Sequence, residues 1–142
     1  MMLVGLTDTK ENPVLFTTWS VMHFLSGAAA SAVLLLFTDN QKTVVVLANF
    51  LHILYELFDV LGSYTDWFKP FHDSVYSVLN VYSDTPALWS NSLLNSVGDL
   101  FSFALGQLFF LKLFAKHKVA VLLLCTILFI VILNTSFLMK LD

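Results

Sequence analysis

The feature that most restricts the fold is an apolar run over residues 43–62 that contains three ionisable side chains. A run of about 20 mostly apolar residues is long enough to cross a lipid bilayer as a helix. Its ionisable residues are His52, Glu56 and Asp59, which fall within roughly 60° of one another on an α-helix. An ionisable group at membrane depth costs about 2.5–3.5 kcal/mol on insertion scales. This face must therefore be directed at protein, water, a metal ion or other polar groups.

The composition places the chain in the integral membrane class. It has 142 residues, of which 58% are hydrophobic and 12% are charged, whereas a soluble domain has about 25% charged residues. We predict an all-α fold, an integral membrane four-helix bundle that forms a single membrane domain over residues 1–142. The predicted spans are residues 14–37, 43–62, 92–111 and 119–139. The lipid bilayer is then the expected environment, and the net charge of −3 does not favour nucleic acid as a partner.

Small residues in the first and third spans predict close helix packing. The third span repeats small and polar residues at spacings of three and four, which places them on one helix face. In the first span, His23 is the only ionisable residue, and it shares a face with small residues. Small residues allow the backbones of neighbouring helices to approach closely. The predicted close-packing positions are Gly27, Ala30, Gly98 and Gly106.

Polar residues of three spans fall in the same half of the predicted bundle. We therefore expect them to form one intramembrane cluster that fixes how the helices pack, because groups of this kind are costly when they face lipid. The predicted members are His23, His52, Glu56, Asp59, Asn95, Asp99 and Ser102. Cys125 lies in the apolar fourth span and is predicted to have a packing role.

The connection over residues 63–84 is rich in aromatic residues, which favour the membrane–water interface. We predict that residues 67–82 form an interfacial amphipathic helix here, between spans two and three, with Asp73 and Ser74 at the start of its apolar face. Its expected apolar face consists of Val75, Val78, Leu79 and Tyr82. Such a helix would cover the cluster or contact other protein subunits. His72 is predicted to lie on the surface.

The cluster residues also suit chemistry. His23, His52, Glu56 and Asp99 are candidate catalytic residues, because histidine and carboxylate groups act as acid–base pairs and as metal ligands. The sequence does not identify a cofactor, although a metal ion or a bound lipid would suit these groups. The alternative is that the same groups only bond to one another. The sequence shows no phosphate-binding loop and no nucleophile motif.

Three short motifs carry a resemblance to a known family. They are Trp19-Ser20-x-x-His23-Phe24-x-x-Gly27, His52-x-x-Tyr55-Glu56 and Asn95-Ser96-x-Gly98-Asp99-x-x-Ser102-x-x-x-Gly106. Together they resemble small VanZ-like and YjdF-like membrane proteins, including uncharacterised membrane proteins of large DNA viruses. The resemblance implies that His23, Glu56 and Asp99 point inward together, and it is compatible with a viral or organellar membrane.

Two functions follow from these patterns. The favoured one is a structural subunit of a membrane complex or of a virion membrane, with partner contacts through residues 63–84 and the termini. The alternative is a VanZ-like intramembrane enzyme, or a lipid- or metal-binding protein, that uses His52, Glu56 and Asp99. The sequence leaves open whether the protein is an enzyme, although it favours a structural role.

Overall fold

The protein is mostly helical in a computed structural model that describes residues 2–5, 12–78 and 92–138. This agrees with the predicted all-α class, apart from two short strands. The elements are β1 (Met2–Val4), β2 (Val14–Phe16), α1 (Thr18–Leu34), α2 (Gln41–Tyr64), α3 (Lys69–Val78), α4 (Leu93–Leu113) and α5 (Lys118–Leu138), with a 3-10 turn at Ala115–His117 before α5.

The first helix begins later than predicted. Thr17 caps α1: its hydroxyl accepts a hydrogen bond from the Trp19 N–H at 3.2 Å, and the Ser20 hydroxyl accepts one from the Thr17 N–H at 3.1 Å. This reciprocal capping box fixes the start of the helix. The preceding residues, Val14–Phe16, form β2, which pairs in parallel with β1. The prediction that the helix starts at residue 14 is therefore wrong.

Two helices in the described part of the chain, α2 and α4, are long and apolar enough to cross a membrane by length and composition. The shorter α1 is also apolar. Only 22% of the apolar window of α2 is buried inside the protein, against 50% for α4. Most of the α2 surface is therefore apolar and exposed, while α4 lies more centrally.

Helix α4 packs against α1 along one flank and against α2 along the other. Gly98 lies against the Leu15 carbonyl, and Gly106 lies against the Phe24 carbonyl. The later glycine of α4 contacts the later of the two partner residues, so the residue numbers increase in the same direction along both segments. Helices α1 and α4 therefore run in parallel. Gly27 lies against the Phe103 carbonyl. The three glycines thus occur at close contacts, whereas Ala30 is only half-buried.

An apolar core lies at the end of the bundle where α1 finishes. It contains Ala28, Ala32, Leu35, Val44, Phe110 and Cys125. The Lys118 ammonium donates a hydrogen bond to the Leu35 carbonyl at 2.7 Å, where a cation complements the partial negative charge of a helix C-terminus. This contact places the turn before α2 and the turn before α5 at the same end of the molecule.

Helix α3 (Lys69–Val78) lies within the range predicted for the amphipathic helix, although it begins before the capping residues Asp73 and Ser74. The predicted apolar residues Leu79 and Tyr82 lie outside the described residues. His72 is buried, with 3% of its surface exposed, so the prediction of a surface histidine is wrong. The reason is Gly62 of α2, whose missing side chain leaves room for the imidazole.

Candidate functional site

His23 of α1 lies between two carboxylates that come from different helices. Its Nδ1 is 3.5 Å from Oε1 of Glu56 on α2, and its Nε2 is 3.4 Å from Oδ2 of Asp99 on α4. The histidine side chain is 13% exposed, while the two acids are 4% and 1% exposed. The three helices therefore meet at one imidazole.

Asp99 is held mainly from α1. The Ser20 hydroxyl donates a hydrogen bond of 2.6 Å to its Oδ1, while its Oδ2 faces His23. Ser20 and His23 are three residues apart, so one face of α1 presents both groups to the same carboxylate. Gly98 and Gly106 bring the two backbones close enough for these short side chains to reach.

His52 of α2 is oriented by ring contacts. It stacks on Phe103 with ring centroids 4.0 Å apart and planes 12° from parallel, and the His23 ring is 5.0 Å away. Its Nε2 is 3.5 Å from Oε1 of Glu56, one helical turn further along α2. The backbone of Asp99 interacts with the same imidazole. The ring thus has a defined direction, with Nε2 turned toward the acid.

Glu56 differs from Asp99 in its hydrogen bonds. Within the described part of the chain, neither of its carboxylate oxygens accepts a hydrogen bond of good geometry, and Nε2 of His52 also has no hydrogen-bond partner. The Ser96 hydroxyl lies beside Glu56 and interacts with it, but it does not satisfy these oxygens geometrically. Buried polar atoms are normally paired, so unpaired ones call for an explanation.

The structure brings together four of the predicted residues and places the others elsewhere. His23, His52, Glu56 and Asp99 meet at the junction of α1, α2 and α4. Asp59 instead lies 3.4 Å from Nε2 of His72 on α3. The other two are buried on α4: Asn95 donates to the Leu15 carbonyl at 3.3 Å, and Ser102 lies further along the helix.

Sequence reasoning missed several polar residues around this junction. Ser20 and Ser96 each lie three residues before a predicted member, on the same helix face, so helical spacing could have identified them. Asn49 donates a hydrogen bond of 2.6 Å to Oε1 of the fully buried Gln107. Gln107 follows Gly106 and lies off the small-residue stripe, so spacing alone gave no signal for this pair.

The arrangement offers donors for a metal ion and groups for proton transfer. One donor atom each from His23, His52 and Glu56 lies within 4.8 Å of the others. Imidazole and carboxylate are common ligands of divalent metals and common general acids and bases.

No protein-family description, curated protein or solved structure matches this chain. The likeness to VanZ-like proteins therefore stays a prediction from the sequence.

Proposed function

We propose that this chain is a multi-pass membrane protein whose α1/α2/α4 junction binds a ligand through His23, His52 and Glu56. The observation that carries this proposal is a set of buried atoms without a hydrogen-bond partner in the described part of the chain: both oxygens of Glu56 and Nε2 of His52. A cluster that only fixed helix packing would be expected to pair them, because each unpaired buried polar atom costs about 1–3 kcal/mol.

The membrane part of the proposal is supported by what α2 exposes. Phe50, Leu51, Leu54 and Leu57 are each about half exposed on the face opposite Glu56. Contiguous apolar surface of this kind is rare on soluble monomers, and it is favourable against lipid. Residues 119–139 form a further apolar run of spanning length. Cysteine labelling at positions 42 and 116 tests this topology, since both should react from the same side of the membrane.

A structural subunit is the second candidate function, and the contacts of Asp99 favour it. Both Asp99 oxygens contact α1 at 3.4 Å or less, as expected for a group that fixes helix packing. The aromatic residues Trp67 and Phe71 are largely exposed near α3, where a partner subunit would find apolar surface. If the protein is a structural subunit, the junction binds no ligand and its polar groups only stabilise the packing of the helices.

Paired carboxylate-to-amide substitutions distinguish the two candidates. Asp99→Asn should lower the free energy of unfolding by about 1–3 kcal/mol, because an amide cannot replace both accepting oxygens. Glu56→Gln should leave the stability unchanged or raise it, because neither Glu56 oxygen accepts a hydrogen bond of good geometry from the described residues. Binding sites commonly sacrifice stability in this way.

The measurement is unfolding of the purified protein in detergent with a chelator present, so that no bound metal contributes to stability. Equal losses in both variants would show that Glu56 also serves packing, and would favour the structural subunit. An unchanged Asp99→Asn variant would contradict the role given to Asp99.

A further inference from the structure

The donor atoms at the junction have the separations of ligands around one small metal ion. Oε1 of Glu56 is 3.5 Å from Nδ1 of His23 and 3.5 Å from Nε2 of His52. In a tetrahedral zinc site with bonds of about 2.0–2.1 Å, neighbouring ligand atoms are about 3.3–3.5 Å apart. The two separations from Glu56 thus match those of ligands around one ion, and the three residues offer donor atoms that all lie within 4.8 Å of one another, whereas 3.5 Å is long for a direct hydrogen bond.

The chemistry of the donors narrows the choice of ion. Two imidazoles and one carboxylate suit zinc and similar divalent transition metals, while calcium and magnesium prefer sites made of oxygen ligands. Three protein ligands leave a fourth position of a tetrahedral ion open, which is the arrangement of catalytic rather than structural zinc sites.

Asp99 is placed to orient the metal-coordinating side chain of His23 and not to coordinate the ion itself. It contacts Nε2 of His23, which leaves Nδ1 of that ring directed at Glu56. Ser20 in turn holds Asp99 through a 2.6 Å hydrogen bond. Carboxylates that bond to the second nitrogen of a metal-bound histidine fix its tautomer and ring orientation. The stack of His52 on Phe103 fixes the other ring.

Charge balance is compatible with a bound cation. Metal ligation uses neutral imidazoles and a deprotonated carboxylate, so Glu56 and Asp99 would be ionised together only when an ion is bound. Acids in such a buried site are otherwise neutralised by protonation, whereas a divalent cation would compensate both negative charges. An ion would also bind two of the buried atoms without a hydrogen-bond partner, Oε1 of Glu56 and Nε2 of His52.

We propose that His23 Nδ1, His52 Nε2 and Glu56 Oε1 bind one zinc-type divalent cation, with Asp99 and Ser20 as positioning residues and one coordination position open. This inference rests on the proposed ligand-binding function and names its ligand. It replaces the predicted set of His52, Glu56 and Asp99 with one in which His23 is a ligand and Asp99 supports it.

The test is zinc binding to the full chain, purified in detergent without a polyhistidine tag and stripped of metal. Wild-type protein should bind about one zinc per chain, and cobalt should give the visible absorption of a four-coordinate ion. His52→Asn and Glu56→Gln should abolish tight binding. Asp99→Asn should weaken binding about 10–100-fold, whereas an ion bound without this support would be insensitive to it.

The matched control is a histidine–aspartate contact outside the junction, between His72 and Asp59. His72→Asn should bind zinc as wild type does. Failure of wild type to bind zinc or cobalt, or full binding by a folded Glu56→Gln variant, would overturn the inference. If Glu56→Gln also keeps its stability in chelator, the wider proposal of a ligand site survives. If that stability is lost, both proposals fail.

Discussion

The two flanks of α4 are built by different means. On the α1 flank, three glycines place backbone directly against backbone, and a short serine reaches Asp99. On the α2 flank, long side chains bridge the gap: Asn49 reaches Gln107, His52 stacks on Phe103, and Glu56 lies near two imidazoles without a hydrogen bond.

This difference indicates that the α1 flank is a rigid scaffold and that the α2 flank is the binding side of the junction. Backbone contacts at glycine cannot adjust, so the α1–α4 interface fixes the positions of His23 and Asp99. Contacts between side chain ends can adjust, so the α2 flank can admit an ion or another ligand at little cost. Binding sites generally need such a rigid support beside an incomplete set of contacts.

The largest effect is expected from Gly106→Ala. A Cβ at this position would overlap the carbonyl of Phe24 on α1, and a backbone atom can move only if the helices separate. We expect a loss of about 3 kcal/mol or more in the free energy of unfolding, although alanine favours helices over glycine by about 1 kcal/mol. Denaturant unfolding in mixed micelles measures this loss in the free energy of unfolding.

An intermediate effect is expected from Asn49→Leu on the α2 flank. It removes the only described partner of the Gln107 side chain, whose Nε2 already lacks one. A loss of about 1–2 kcal/mol should follow. The double variant with Gln107→Leu should recover most of it, because no buried polar atom is then left unpaired. A double variant that is as unstable as the single one would show that volume, and not hydrogen bonding, governs this flank.

The sequence predicted features that depend on a single helix better than features that depend on how several helices pack. Helical spacing identified the glycines and the inward face of α2, because both depend only on the pitch of one helix. It could not decide whether Asp59 continues that face or turns to α3, since the two directions differ by a small rotation. Nor could it decide which nitrogen of His23 faces which acid, which depends on the rotation of three helices relative to one another.

His72 also shows that helix packing could not be predicted from the sequence, because this residue was expected at the surface and is buried. A histidine in a polar, aromatic connection has the composition of a surface residue. Its burial depends on Gly62, ten residues earlier, and on Asp59 and Phe58, which present an acid and a ring at the same place on α2. The interpretation failed because the partner of α3 could not be recognised before α2 and α3 were packed together.

The smallest effect is expected from Gly62→Ala, which adds the same methyl group at a different kind of contact. Here the added Cβ would meet the imidazole of His72, which can rotate away, and not a backbone carbonyl. The global loss should stay below about 1 kcal/mol, since the helix propensity of alanine offsets part of the clash. The consequence should be local: amide hydrogen exchange should rise in α3, while α4 and the zinc affinity remain as in wild type. A loss as large as that of Gly106→Ala would mean that α3 belongs to the rigid scaffold, and that the contact between Asp59 and His72 supports the junction as firmly as the glycine interface does.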